Sequence, residues 1–473
     1  MSIKVLNTVD RAYDVFIVPK FEGEVKLPEC ITGDTREYLT ALLAKKEFTG
    51  KKGTHFKAEV VQNGKVSKIV YIGMGKTGEL DKKGALNAYY KVFRRAKGEI
   101  IFIAKGVCAA TVAESFLYSL YDFDTYKSEK CDQAKTLTLV TEESEAVIRE
   151  VEAVVEGVNH TRQLVNEPAN VIYPETLARY AVNVGKASGF EVDVYDEEYI
   201  EELKMHAFLA VAQASRKRPK LIVMRYFGAG KESSEVLGLV GKGLTYDTGG
   251  LCIKPPEGMK GMKDDMGGSA TVIGVMSAIA KMGVKKNVIA VVAACENAIG
   301  GNAIRPGDII SSMKGISIEV DNTDAEGRLT LADAVYYAIT KEKVTEVIDV
   351  ATLTGAAVAA LGQTTTAVVT NSPENYKKLE AASIASAERV WQMPNFPEYK
   401  DLFKSKVADL KNSGGRFAGC IVAAMFIEAF VEQVPWLHLD IAGSVIADSP
   451  RDYYVHGGTG EMVRTLYTYI KNN

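Results

Sequence analysis

Largely apolar runs at Ser67 to Ile72 and Glu99 to Ala104, with the alternating stretch Thr136 to Val140, predict strands set among helical segments. Residues 1–140 therefore read as one smaller N-terminal α/β domain. From Thr141 a polar helix is expected. Behind the acidic Glu142, Glu143 and Glu145, apolar residues recur at Val147, Ile148, Val151, Val154, Val155 and Val158, the period of a helix with one buried stripe. This segment, 141–165, is read as a connecting helix. Beyond Asn166-Glu167-Pro168 the pattern restarts, with strands predicted at Leu221 to Tyr226, Val236 to Gly241, Val288 to Ala294, Ile316 to Asp321, Val347 to Ala351 and Leu437 to Ile441. Helical runs separate several of them. Such alternation predicts a larger C-terminal α/β/α domain, 166–473, with a mostly parallel central sheet and a site beyond the carboxyl ends of its strands.

Composition supports this picture and removes alternatives. At 473 residues the chain exceeds what one core usually supports, and 47% hydrophobic with 25% charged residues is a globular balance. A net charge of −3 gives no global field favouring nucleic acid or an anionic membrane. No apolar run reaches the roughly 18 residues of a membrane span, and the first twenty residues lack a secretory apolar core, so a cytoplasmic location is expected. Cys30, Cys108, Cys131, Cys252, Cys295 and Cys420 are scattered without a CxxC pair, which fits reduced, mostly buried thiols.

Three segments carry candidate chemistry. Gly73-Met74-Gly75-Lys76-Thr77-Gly78 follows a predicted strand and spells GxGxxG. A Walker loop needs glycine where Val70 stands, and the acid a dinucleotide fold wants at the end of the next strand is replaced by Lys105, so a tight strand-to-helix turn is the better reading. The stretch Gly241 to Ala270 is denser, holding Lys242, Asp247, Lys254, Asp264 and Asp265 among eight glycines. The third, Asn322 to Leu329, places Asp324 and Glu326 on a short connection before a helical run. Alone it reads equally well as an acidic helix N-terminus.

Together the last two segments change the balance. Loops following sheet strands bring Asp247, Asp265, Asp324 and Glu326 into one crevice, where like charges about 4 Å apart repel by roughly 4 kcal/mol per pair at an effective dielectric of 20. Two divalent cations would neutralise the four carboxylates, and hard oxygen ligands suit Mn, Zn or Mg. A binuclear centre implies hydrolysis, through a shared hydroxide and a polarised carbonyl.

At these residues the sequence resembles the leucyl aminopeptidase (cytosol aminopeptidase) family of metallopeptidases. NTDAEGRL stands unaltered at Asn322 to Leu329, and KGLTYDTGG, IKPPEGM, DMGGSA, ATLTGA, NEPAN and PWLHLDIAG also match, covering essentially the whole C-terminal portion. The N-terminal portion resembles the family only in length and α/β character. The resemblance implies Lys242, Asp247, Asp265 and Glu326 as ligands of a tighter metal, with Asp247, Asp324 and Glu326 holding a more exchangeable one. It implies that Lys254 stabilises the gem-diolate and that Arg328 holds a bicarbonate that relays a proton to the leaving amine. Met262, Thr352 and Gly355 match positions lining the pocket for the first side chain, and the apolar run ATLTGAAVAAL suggests leucine or another uncharged, medium-sized residue. From the residues alone Lys242 reads as a counter-charge and His438 as a core histidine. The resemblance further implies peptide substrates and a homohexamer. An additional nucleic-acid-binding or regulatory role is the alternative, and the acidic balance argues against it.

Overall fold

The computed structural model describes the chain apart from residues 1, 2, 10, 24–26, 28, 30, 32, 46, 47 and 63. It divides into two compact units, residues 1–155 with 450–455, and 156–449 with 456–473. The division falls inside one helix, Glu145–Asn166, which starts four residues after the predicted Thr141. Among the described residues no helix is long and apolar enough to cross a membrane. Cys108, Cys131, Cys252, Cys295 and Cys420 are free thiols, and Cys30 lies outside the described residues.

The first unit is built on a six-stranded sheet in the spatial order Ile3–Leu6, Lys135–Val140, Gly98–Ile103, Val15–Phe21, Lys65–Gly75, His55–Gln62. Neighbours are parallel except the last pair, a hairpin. Helices Lys82–Phe93 and Ala109–Tyr118 share one apolar core with Ile17, Val70, Ile100 and Leu139, while helix Gly33–Lys45 contributes to a second around Phe16, Ile69 and Tyr71. Alternate strand residues enter different cores, as the pleat requires. The short segment 450–455 belongs to this unit: Tyr453 stacks on Tyr118 at 5.4 Å, and Asp452 accepts from Asn87 at 2.8 Å and pairs with Lys83 at 2.9 Å.

The glycine motif Gly73 to Gly78 finishes a strand and turns toward the helix beginning at Lys82. Gly75 sits at φ +73°, and a Cβ there would lie 2.3 Å from Oε2 of Glu79, which accepts from the Lys76 N–H. A carboxylate thus fills the turn where a phosphate cradle would present free N–H groups.

The second unit carries an eight-stranded mixed sheet in the order Val390–Gln392, Thr366–Thr370, Trp436–Asp440, Glu346–Ala351, Val236–Asp247, Asn287–Asn297, Lys220–Phe227, Glu191–Tyr195. The four central strands run parallel. They are buried almost without interruption, because helices cover both faces. Helix Gly327–Thr340 packs in a core with His206–Ala212 and Gly419–Glu428, while Gly267–Lys281 packs against Pro174–Ser188 and Val463–Asn472. Gly157 and Gly274 form a close helix crossing: a Cβ on either would lie 2.4 Å from the other's carbonyl oxygen.

Two predicted strands differ from the structure. The strand predicted to end at Gly241 continues to Asp247, so Lys242 and Asp247 stand on the sheet itself rather than on a loop after it. It outlasts its apolar run because the neighbouring strand Asn287–Asn297 keeps pairing with it across a bulge at Cys295/Glu296. The strand predicted at Ile316 to Asp321 shrinks to Ser317–Glu319 and joins a small three-stranded sheet with Ile309–Ser311 and Leu410–Lys411, outside the central sheet. Only Ile318 of that strand is fully buried, which is too little apolar surface for a central position.

Candidate metal centre

The four parallel strands at the centre of the second unit end at one edge, and each delivers a polar residue there. Asp440 closes Trp436–Asp440, Thr352 follows Glu346–Ala351, Asp247 closes Val236–Asp247, and Asn297 closes Asn287–Asn297. Asp265 arrives just before helix Gly267–Lys281, and Glu326 caps helix Gly327–Thr340. Both helices therefore point their positive N-terminal ends at the acids.

Close approach at this edge depends on missing side chains. A Cβ at Gly268 would lie 2.0 Å from the Val350 carbonyl oxygen and 2.8 Å from the Lys242 nitrogen, and one at Gly327 would lie 2.3 Å from Cε of Lys242. Gly249, at φ +83°, turns the chain so that its N–H donates to Oδ1 of Asp247 at 2.8 Å.

Carboxylate oxygens of Asp247, Asp265 and Glu326 all lie within 4.8 Å of one another, and all three residues are buried. Lys242 is buried with them. Its Nζ donates to Oδ1 of Asp265 at 2.7 Å and to the Thr352 carbonyl at 3.0 Å, and lies 3.1 Å from Oε1 of Glu326. Lys254 bridges Asp247 at 2.8 Å and Asp324 at 2.5 Å. Asp324 is more open and stands outside the tight group of three, joined to it through Lys254. The hydroxyl of Thr352 donates to Oδ1 of Asp265 at 2.9 Å.

The electrostatics follow from crowding. Burial first, then neighbouring acids, holds Asp265 and Glu326 above the usual carboxylate range, with Lys242 opposing in each case. Asp324 is raised by burial, against the hydrogen bond from Lys254. Burial alone would lower both lysines. Asp265, Glu326 and Asp247 instead hold Lys242 well above its ordinary value, and Asp247 and Glu326 do the same for Lys254. With no cation between them, Lys242 is the positive partner of Asp265 and Glu326. Two lysines cannot balance four acids, and Oδ2 of Asp265 and Oε2 of Glu326 are buried without a hydrogen-bond partner among the described residues. Orphaned hard oxygens beside a charge deficit fit divalent cations.

A family model described as "Cytosol aminopeptidase family, catalytic domain" matches residues 159–467, and one described as "Cytosol aminopeptidase family, N-terminal domain" matches 17–130. The chain belongs to the cytosol aminopeptidase family. It is 47% identical to a probable cytosol aminopeptidase of Clostridium perfringens over 96% of both chains, and 42% identical to one of Fusobacterium nucleatum over the full length of both. Among solved structures it is similar to a tomato leucine aminopeptidase mutant, with a TM-score of 0.87 and 32% identity over 100% of this chain and 97% of that one. The bottromycin maturation enzyme BotP in complex with Mn gives a TM-score of 0.86 and 30% identity, over 98% and 99%. This cytosol aminopeptidase family member is a metallo-aminopeptidase, and the N-terminal resemblance extends to a matched domain, beyond length and character alone.

The remaining predicted residues flank the cluster without joining its hydrogen-bond network. Arg328 lies two residues beyond Glu326, its Nε buried without a partner among the described residues. Burial lowers its guanidinium to about 10, with Glu326 and Asp440 opposing. Met262 begins the short turn before Asp265, and Gly355 starts helix Gly355–Leu361 with open space where a side chain would be. His438 is a core histidine: it is buried, with Nδ1 2.6 Å from Asp349, which also accepts from the Trp436 indole.

Three supporting residues carried no signal as separate positions. Asn297 donates to both Asp247 and the Thr323 carbonyl. Thr323 ties the two motif loops together, donating to the Gly249 carbonyl and accepting from the Cys252 N–H. Asp440 accepts from the Leu353 N–H and the Thr354 hydroxyl, fixing the loop that carries Thr352. Their position at the carboxyl ends of predicted strands was the signal available for Asn297 and Asp440.

Proposed function

We propose that this aminopeptidase hydrolyses the first peptide bond of peptides at a pair of divalent cations held by Lys242, Asp247, Asp265, Asp324 and Glu326. Leucine or another uncharged, medium-sized N-terminal residue is preferred. The observation that carries this reading is the convergence of Asp247, Asp265 and Glu326, with Lys242 against two of them, around unpartnered oxygens of Asp265 and Glu326. Lys242, Asp247, Asp265 and Glu326 would hold the tighter ion, and Asp247, Asp324 and Glu326 the more exchangeable one. Mn or Zn suits the set, with Mg also compatible, and the Mn complex of the related BotP supports Mn. Bound there, such ions supply Lewis acidity and an acidified water at neutral pH.

The chain's own groups do the rest. The substrate's free α-amine would bind at the tighter ion and beside Asp265, which restricts attack to the first bond. Lys254, aimed by Asp247 and Asp324, keeps its proton and donates to the oxygen that turns negative as the carbonyl is attacked. Lys242 must lose its proton before its lone pair can coordinate. Arg328 would hold a bicarbonate ion, whose chemistry is proton relay to the leaving amine. Met262, Thr352 and Gly355 would border the first side chain, with the bare Gly355 leaving it room. We place the enzyme in the cytoplasm as a homohexamer acting on peptides.

The test is metal removal. Chelator-stripped protein should lose hydrolysis of leucine p-nitroanilide and regain it with Mn or Zn. Turnover that survives complete stripping would overturn the mechanism.

A further inference from the structure

The first unit contains a cavity of about 620 Å³ bordered by the edge strand His55–Gln62, its neighbour Lys65–Gly75 and the end of helix Lys82–Phe93. We propose that it binds an oligophosphate, a chain of two or three phosphate groups either free or carried on a nucleoside.

The pleat creates the site. Phe56 and Val60 of the edge strand turn into a core, so His55, Lys57 and Glu59 face the other way, on the side of the sheet where the helix packs. The helix contributes Lys91 and, just past its end, Arg95. Of the other charges around the cavity, Asp14 and Lys97 have ion-pair partners, while Glu59 and Lys68 offset each other in sign. Asp14 pairs with Lys65 at 2.9 Å and accepts from the Glu99 N–H at 2.8 Å. Glu59 stands opposite Lys68 in the strand register, and Lys97 lies 3.7 Å from Asp132.

Lys57, Lys91 and Arg95 have no acid paired to them among the described residues. All three line the same cavity as His55, whose imidazole is held below its ordinary value by burial first and then by these cations. A lysine on an edge strand has a plain use in blocking strand addition, but Lys91 and Arg95 are not on that strand. Three cations around one cavity match the charge of a diphosphate or triphosphate.

The experiment titrates the metal-loaded enzyme by calorimetry with inorganic tripolyphosphate, excess Mg being present so that the probe strips no metal. ATP, orthophosphate and a short DNA duplex are run in parallel. Saturable binding of one tripolyphosphate per chain is expected, with orthophosphate weaker by about tenfold or more. Lys91→Gln/Arg95→Gln should weaken tripolyphosphate by about tenfold while leaving leucine p-nitroanilide turnover and thermal unfolding unchanged. Lys57→Gln should weaken it as well. ATP matching tripolyphosphate assigns the site to the phosphate chain, and tighter ATP assigns it to a nucleoside-borne one. Absence of saturable binding, affinity unchanged in the variants, or displacement by the duplex at lower concentration would each overturn the proposal.

Discussion

Lys254 shows how one side chain draws its role from its neighbours. Its ammonium spans Asp247 and Asp324, an arrangement that keeps the proton on and fixes its direction. Lys254→Ala should lower kcat by about 10²–10³-fold with a smaller change in KM, the signature of an interaction made mainly in the transition state. Asp324→Asn should lower turnover and weaken metal binding together, which a metal titration of activity separates from loss of fold. Asp333 sets a different test. It is buried, accepts from the Met313 and Phe208 N–H groups, and burial raises it to about 7 against those donors. A carboxyl raised in the folded state favours folding below its unfolded value near 3.9, and that contribution is lost as pH rises through about 7. Wild-type unfolding temperature should therefore fall from pH 5 to pH 8 relative to Asp333→Asn. Parallel curves for the two proteins would remove Asp333 from the account.

At the level of elements, small residues decide what can meet. The crossing at Gly157 and Gly274 leaves no room for a methyl group, so Gly274→Ala should destabilise the metal-loaded protein by about 1–3 kcal/mol, read from denaturant unfolding. Gly268→Ala should do more than destabilise, because the added carbon meets the Val350 carbonyl and the Lys242 backbone nitrogen and displaces the start of the helix that Asp265 leads into, lowering turnover of the metal-loaded enzyme as well. Central strands were legible because their apolar runs are long and buried on both faces. The strand ending at Asp247 was read six residues short, since Lys242 through Asp247 carries polar groups that a run of hydrophobicity cannot register. Ile316 to Asp321 was placed in the main sheet because alternation says that a segment is extended and says nothing about its partner.

For the whole molecule, the metal centre and the first unit answer to different measurements. A homohexamer predicts that sedimentation or light scattering gives the mass of six chains, and exposed apolar side chains such as Trp391, Val407 and Phe417 are material for such contacts. A monomer that retains full turnover would remove the hexamer from the account and leave the metal chemistry standing. The sequence by itself determined the α/β class, the two motif segments and the acids within them, because periodicity and residue chemistry are local properties. Only the tertiary structure decided that Asn297 and Asp440 share the edge with those acids, that Lys242 lies buried between Asp265 and Glu326, and that Pro450 to Val455 joins the first unit. Those facts depend on which strands lie side by side and which backbones approach within a hydrogen bond's length. Such pairings are settled by packing among residues that lie from tens to hundreds of positions apart.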